Sequence, residues 1–179
     1  MARKTLIASV VLAAAVSAFV FAGAAVGAPG GKSASAKLCR GWATLMDSTA
    51  TPFANQGACV RYGVAGGAIY PLAEITVELC AVQQLPDGIC AQATGSGLKP
   101  GSAMVTNFYK NDVLFSFASI NVPASGTVSD TDGHFFVPCV AGNVYTATST
   151  GTSADSLSTP VQPGIPITSN TVTRTAVCP

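Results

Sequence analysis

Six cysteines, Cys39, Cys59, Cys80, Cys90, Cys139 and Cys178, all lie beyond an uncharged apolar stretch at the N-terminus, and this arrangement constrains the fold more than any other feature. Their separations of 20, 21, 10, 49 and 39 positions contain no C-x-x-C, and the chain has one histidine, His134. Zinc ligands come in close pairs, so no metal site is expected. An even count in an exported chain reads instead as three disulfides. Of the many connectivities open to six cysteines, the sequential one keeps each pair inside a segment with its own texture: Cys39–Cys59, Cys80–Cys90 and Cys139–Cys178. Loops of these lengths should each stabilise by roughly 3 to 4 kcal/mol, chiefly by restricting the unfolded chain. All six are expected to be staples, with no reactive thiol among them.

Export is read from the first 28 to 36 residues. Arg3 and Lys4 form a basic n-region, and Thr5 to Ala28 carries no charge and is rich in Ala, Gly, Val and Leu, as an h-region is. Small residues offer two exits, a V-x-A site ending at Ala28 and an A-x-A site at Ala34, Ser35 and Ala36. The rival is an uncleaved anchor, since the run is long enough to cross a bilayer. A lipid anchor is not expected, because no Leu stands three places before Cys39. Leu85, Pro86 and Asp87 begin like a sorting signal but are followed by no hydrophobic tail, so free secretion is the expectation.

From Pro29 onward seven Lys/Arg face eight Asp/Glu, which gives no electrostatic case for nucleic acid or an anionic membrane. Charged residues are scarce, and Thr, Ser, Gly, Ala and Val take their place, which suits short strands and turns. About 145 residues remain after a leader, enough for one domain with an appendage.

The expected organisation has three parts. Residues 1–36 are the signal peptide and a short linker, 37–71 a small helix-containing cap, and 74–179 a β-sandwich. In the cap, Asn55 is a candidate N-cap, and Ala58, Cys59, Tyr62 and Ala65 share one face of a short helix. Gly63, Gly66 and Gly67 weaken that helix and Pro71 ends it. From Glu74, apolar runs recur every 8 to 12 residues: 74–82, 89–94, 103–109, 113–120, 127–129 with 134–139, 144–149 and 171–178. Turn signals separate them, among them Pro86-Asp87-Gly88, Lys110-Asn111-Asp112 and Asp130-Thr131-Asp132-Gly133. Residues 151–170, rich in Ser, Thr and Pro, read as a loop or irregular edge. About seven strands at this spacing predict a mainly β chain, an immunoglobulin-like antiparallel sandwich with a disulfide-pinned cap.

The segment Cys39-Arg40-Gly41-Trp42, followed by Phe53-Ala54-Asn55-Gln56-Gly57-Ala58-Cys59-Val60, resembles a short motif of secreted actinobacterial proteins without assigned activity, although residues 45–52 between the two parts are filled differently. The glycine-rich stretches 94–102 and 126–135 resemble bacterial extracellular immunoglobulin-like modules. The first motif is also loosely similar to the opening of the enediyne-binding apoproteins, small disulfide-bonded sandwiches that hold a ligand in a cleft. These resemblances imply secretion and a sandwich; turns are shared among sandwiches without a shared function.

Candidate chemistry is sparse. Asp130, Asp132 and Gly133 resemble the start of a calcium loop, but Ala141 stands where the loop needs a bidentate Glu, so a hairpin turn is expected. A nucleophile would need His134 as base, and no G-x-S-x-G elbow presents a serine. Glu74, Glu78, Asp87, Asp112 and Asp155 are carboxylates available for glycoside chemistry, yet Glu74 and Glu78 at even spacing more simply mark the solvent side of a strand. Trp42 and Tyr62 are the candidate binding surface, an aromatic platform for carbohydrate or peptide, weighed against a place in the core of a small cap. The expectation is a secreted, non-enzymatic binding or structural module, without cofactor, whose partner is an extracellular macromolecule or small ligand. The alternatives are a small-molecule carrier with a cleft between cap and sandwich, and an inhibitor presenting the loop Leu85 to Ile89.

Overall fold

The computed structural model describes residues 32–179. The apolar leader and its Ala28 exit lie outside the described residues, whereas Ala36 falls within the first helix. No helix among the described residues is long and apolar enough to cross a membrane.

The cap is built from helix α1 (Lys32–Leu38), a 3-10 segment (Cys39–Thr44), strand β1 (Leu45–Met46), helix α2 (Gln56–Val64) and strand β2 (Tyr70–Pro71). Asn55 caps α2 as its sequence position implies, with Oδ1 accepting the Ala58 N–H at 2.9 Å. The helix stops at Gly66, whose φ of +87° lets the Gly67 N–H turn back to the Tyr62 carbonyl. β1 and β2 pair antiparallel, Leu45 opposite Pro71 and Met46 opposite Tyr70. Leu45, Phe53, Ile69 and the Cys39–Cys59 disulfide make a small core of the cap's own. Met46 and Tyr70 join the core of the body instead, which seats the ribbon on it.

The body has two antiparallel sheets. β3 (Glu74–Leu79), β4 (Gly88–Ser96) and β7 (Val128–Phe135) form one in the order β3-β4-β7. β5 (Ala103–Lys110), β6 (Val113–Asn121), β8 (Val144–Thr152) and β10 (Val172–Thr175) form the other in the order β10-β8-β5-β6, and β9 (Pro166–Thr168) pairs with β8. Alternate residues of the first sheet, Ile75, Val77, Ile89, Ala91 and Ala93, share a buried core with Met104, Phe108, Tyr145, Ala147 and Ile167 of the second. The fold is therefore mainly β and sandwich-like. Glu74 and Glu78 take the solvent side of β3, as the even spacing implies. The disulfides are the sequential three: Cys39–Cys59, Cys80–Cys90 and Cys139–Cys178.

One local expectation is corrected. Asp130–Gly133 is not a turn: β7 runs through it unbroken, with Asp130 opposite Ala93, Asp132 opposite Ala91 and Gly133 opposite Cys90. Pairing along the whole of β4 outweighs the local turn preference of the Asp-Gly pair. Residues 151–170, expected as a loop or irregular edge, carry the end of β8 and the short strand Pro166–Thr168 paired with it. A bulge in β6 skips Phe115 between the pairs Phe108–Ser116 and Tyr109–Leu114, and Phe115 packs against the core.

Candidate functional site at the stapled end

Strand direction gathers the β3–β4 loop, the β5–β6 turn, the β7–β8 loop and the C-terminal residues after β10 at one end of the body, opposite the cap. Two of the three disulfides lie here, Cys80–Cys90 closing the first loop and Cys139–Cys178 tying the third to the C-terminus.

The polar centre of this end is Asp87, inaccessible to solvent although close beneath the surface. Its carboxylate accepts the Tyr145 hydroxyl at 2.6 Å, the Val140 N–H at 3.0 Å and the Asn143 amide at 3.2 Å. Burial pushes the carboxyl toward its neutral form, but these three donors and the positive charge of Lys110 outweigh it and hold Asp87 below the ordinary carboxylate value. Tyr145 is pushed the other way, by its own burial first and then by its bond to the anionic Asp87. Arg174 from β10 donates to the carbonyls of Leu85, Pro86 and Gly88 at 2.8, 3.2 and 2.6 Å. Gln83 bridges the base of the same loop, donating to the Cys80 and Cys90 carbonyls and accepting the Cys90 N–H. These bonds use the loop's polar groups internally.

Beside the exposed Gln84, Asn111 and Asp112, this end shows many aliphatic side chains to solvent. Among the described residues, five of the thirteen exposed large hydrophobic side chains belong to these segments, and four more, Leu79, Val113, Leu114 and Val144, stand on the strand ends beside them. Val82 and Leu85 stand on the first loop, Val113 follows the β5–β6 turn, Val137 and Val140 flank Cys139, and Val177 precedes Cys178. Val82, Val137 and Val177 are each at least 75% exposed, an unusual concentration for the surface of a monomer. The segments touch one another: the Val140 N–H reaches Asp87, the Phe136 N–H reaches the Asp87 carbonyl, and the Gly142 N–H reaches the Ala176 carbonyl.

The aromatic pair and the histidine singled out in the sequence fall elsewhere. Trp42 and Tyr62 are half-buried and pack on the cap core; the Tyr62 ring lies 5.5 Å from that of Phe53 and its hydroxyl is 2.7 Å from Ser48 Oγ. His134 sits edge-on to Phe108 at 4.7 Å and Phe115 at 5.5 Å. Asp132 Oδ2 comes within 3.2 Å of its Nε2, but that nitrogen is buried and makes no well-directed hydrogen bond, so the contact is proximity rather than a catalytic pairing. The carboxylates are dispersed: Asp155 pairs with Lys99 at 2.8 Å, Asp87 is enclosed, and Glu74 and Glu78 face solvent on β3. No group of His, Cys, Asp or Glu side chains among the described residues could hold a metal ion. Sequence reasoning took Asp87 only as a turn residue and a spare carboxylate; its partners Val140, Asn143 and Tyr145 lie more than fifty positions away and leave no local trace.

No family model, no curated protein and no solved structure matches this chain.

Proposed function

We propose that the protein is an exported, non-enzymatic binding module with an immunoglobulin-like sandwich, and that it engages an extracellular macromolecule through its stapled end. The observation that carries the reading is the set of aliphatic side chains held out on loops that two disulfides, Asp87 and Arg174 keep in place. A fixed loop surrenders little conformational entropy when it binds, and exposed apolar side chains gain by leaving water.

The strand orders β3-β4-β7 and β10-β8-β5-β6 support the immunoglobulin-like assignment, in which two antiparallel sheets are joined by crossovers between them. Export is supported by the basic and apolar leader together with three disulfides, which persist in oxidising compartments. The packing of α1 on α2, with Ser35 buried between them, favours cleavage after Ala28, since a cut after Ala36 would remove most of α1. The bonds from Arg174 to the Leu85, Pro86 and Gly88 carbonyls weigh against an inhibitor loop, which must offer its backbone to a protease.

The test is quantitative binding of the purified exported protein to washed envelopes of the producing cells. Replacing Val82, Val137, Val140 and Val177 together by Ser should lower the affinity at least about fivefold while the melting temperature holds. Equal binding by the two proteins would overturn the assignment of the site. Turnover on a hydrolase panel that disappears in His134→Ala would overturn the non-enzymatic reading.

A further inference from the structure

At the opposite end, the seam between cap and body holds a groove of about 320 Å3. Ala34, Ser35 and Leu38 of α1 form one wall, the chain from Gly66 to Ile69 the floor, and residues 157–160 of the β8–β9 loop the other wall. The groove is preformed: the Ile69 N–H donates to Ser158 Oγ at 2.7 Å and the Leu157 N–H to the Ile69 carbonyl at 2.8 Å, fixing the spacing of its sides. Its volume falls at the lower end of the range found for small-molecule sites.

The lining selects a chemical class. It includes no ionisable side chain, so an ion buried there would lose its hydration without a partner. It includes no aromatic ring, which removes the platform on which sugars and flat heterocycles stack. Ser158 Oγ accepts the Ile69 N–H and keeps its own hydrogen to donate. Ser35, Ser158, Thr159 and Gln162 place uncharged hydrogen-bonding groups among otherwise aliphatic walls, which matches oxygen groups carried on an aliphatic body. We infer that this groove binds an uncharged, largely aliphatic small molecule bearing a hydroxyl or ester oxygen. The site is independent of the stapled end.

The test uses the exported protein and the neutral fluorophore N-phenyl-1-naphthylamine, displaced at pH 7.5 by decan-1-ol, methyl decanoate or decanoate. The expected result is saturable binding of one probe per chain, displaced by the alcohol and the ester at concentrations at least tenfold lower than by the carboxylate. Ala34→Trp, which fills the groove from an exposed helix position, should weaken the probe at least tenfold, and Thr159→Trp on the facing wall should do the same if the first variant melts early. The four-valine variant of the stapled end should bind the probe as the native protein does. Absence of saturable binding, equal competition by decanoate, binding untouched by both Trp variants, or loss in the four-valine variant would each overturn the inference.

Discussion

Asp87 is a fully enclosed carboxylate that receives donors from two loop positions and one strand position. Asp87→Asn keeps the shape but turns an amide N–H toward one of those donors, and a buried donor left unpaired costs about 1 to 3 kcal/mol. The expected loss is about 2 kcal/mol in urea unfolding at neutral pH, and Tyr145→Phe should lose about 1 kcal/mol. The folded carboxyl titrates below its ordinary value of 3.8, so its stabilisation is complete above that value and disappears as the pH falls through the lower folded value. The stability gap between native protein and Asp87→Asn should therefore be constant from about pH 5 to 7 and narrow progressively as the pH falls below 3.8. A gap that widened in acid would contradict the assignment. At this scale the sequence was partly legible. Asn55 reads as a cap because its partner Ala58 is three residues away, while Asp132 misleads because its strand partner Ala91 is forty-one positions distant.

Among the elements, the staples and the cap seam bear the most testable load. Replacing Cys139 and Cys178 by Ser opens a loop of 39 positions and should cost about 4 kcal/mol, against about 3 kcal/mol for the Cys80–Cys90 loop of 10, both measured by unfolding of the oxidised proteins. The seam depends on Gly97 at φ +65°, where a Cβ would overlap the Leu72 carbonyl oxygen in the link between β2 and β3. Gly97→Ala should thus cost about 2 kcal/mol and loosen the cap, seen as faster amide exchange in Tyr70–Ala73 than in β5. Slowed or unchanged exchange there would contradict the seam. Each of the seven runs read from their spacing contains a strand, although residues 80–82, 136–139 and 176–178 fall outside the strands. β9 left no such mark: it is three residues long and owes its form to pairing with Gly151 and its neighbours. The cap ribbon was illegible for the same reason, with two residues in each strand.

In the whole molecule, the cap and the stapled loops occupy opposite ends of one sandwich-like body, with a neutral groove at the first and an aliphatic surface at the second. Composition foretold the class of fold and its three disulfides, because charge scarcity, cysteine parity and strand spacing are global properties. The sequence pointed to a cleft between cap and sandwich and to the loop Leu85 to Ile89, but not to the side chains that surround them, since each end collects residues from segments far apart in the chain. The account rests on the protein working outside the cell as a stapled module. That claim is tested most directly by the intact mass of protein recovered from the culture medium, before and after reduction under denaturing conditions. The account predicts a chain beginning at Pro29 that gains about six mass units on reduction, three disulfides' worth of hydrogen. A chain that retains Arg3 and Lys4, or one whose six cysteines react as free thiols before reduction, would contradict it.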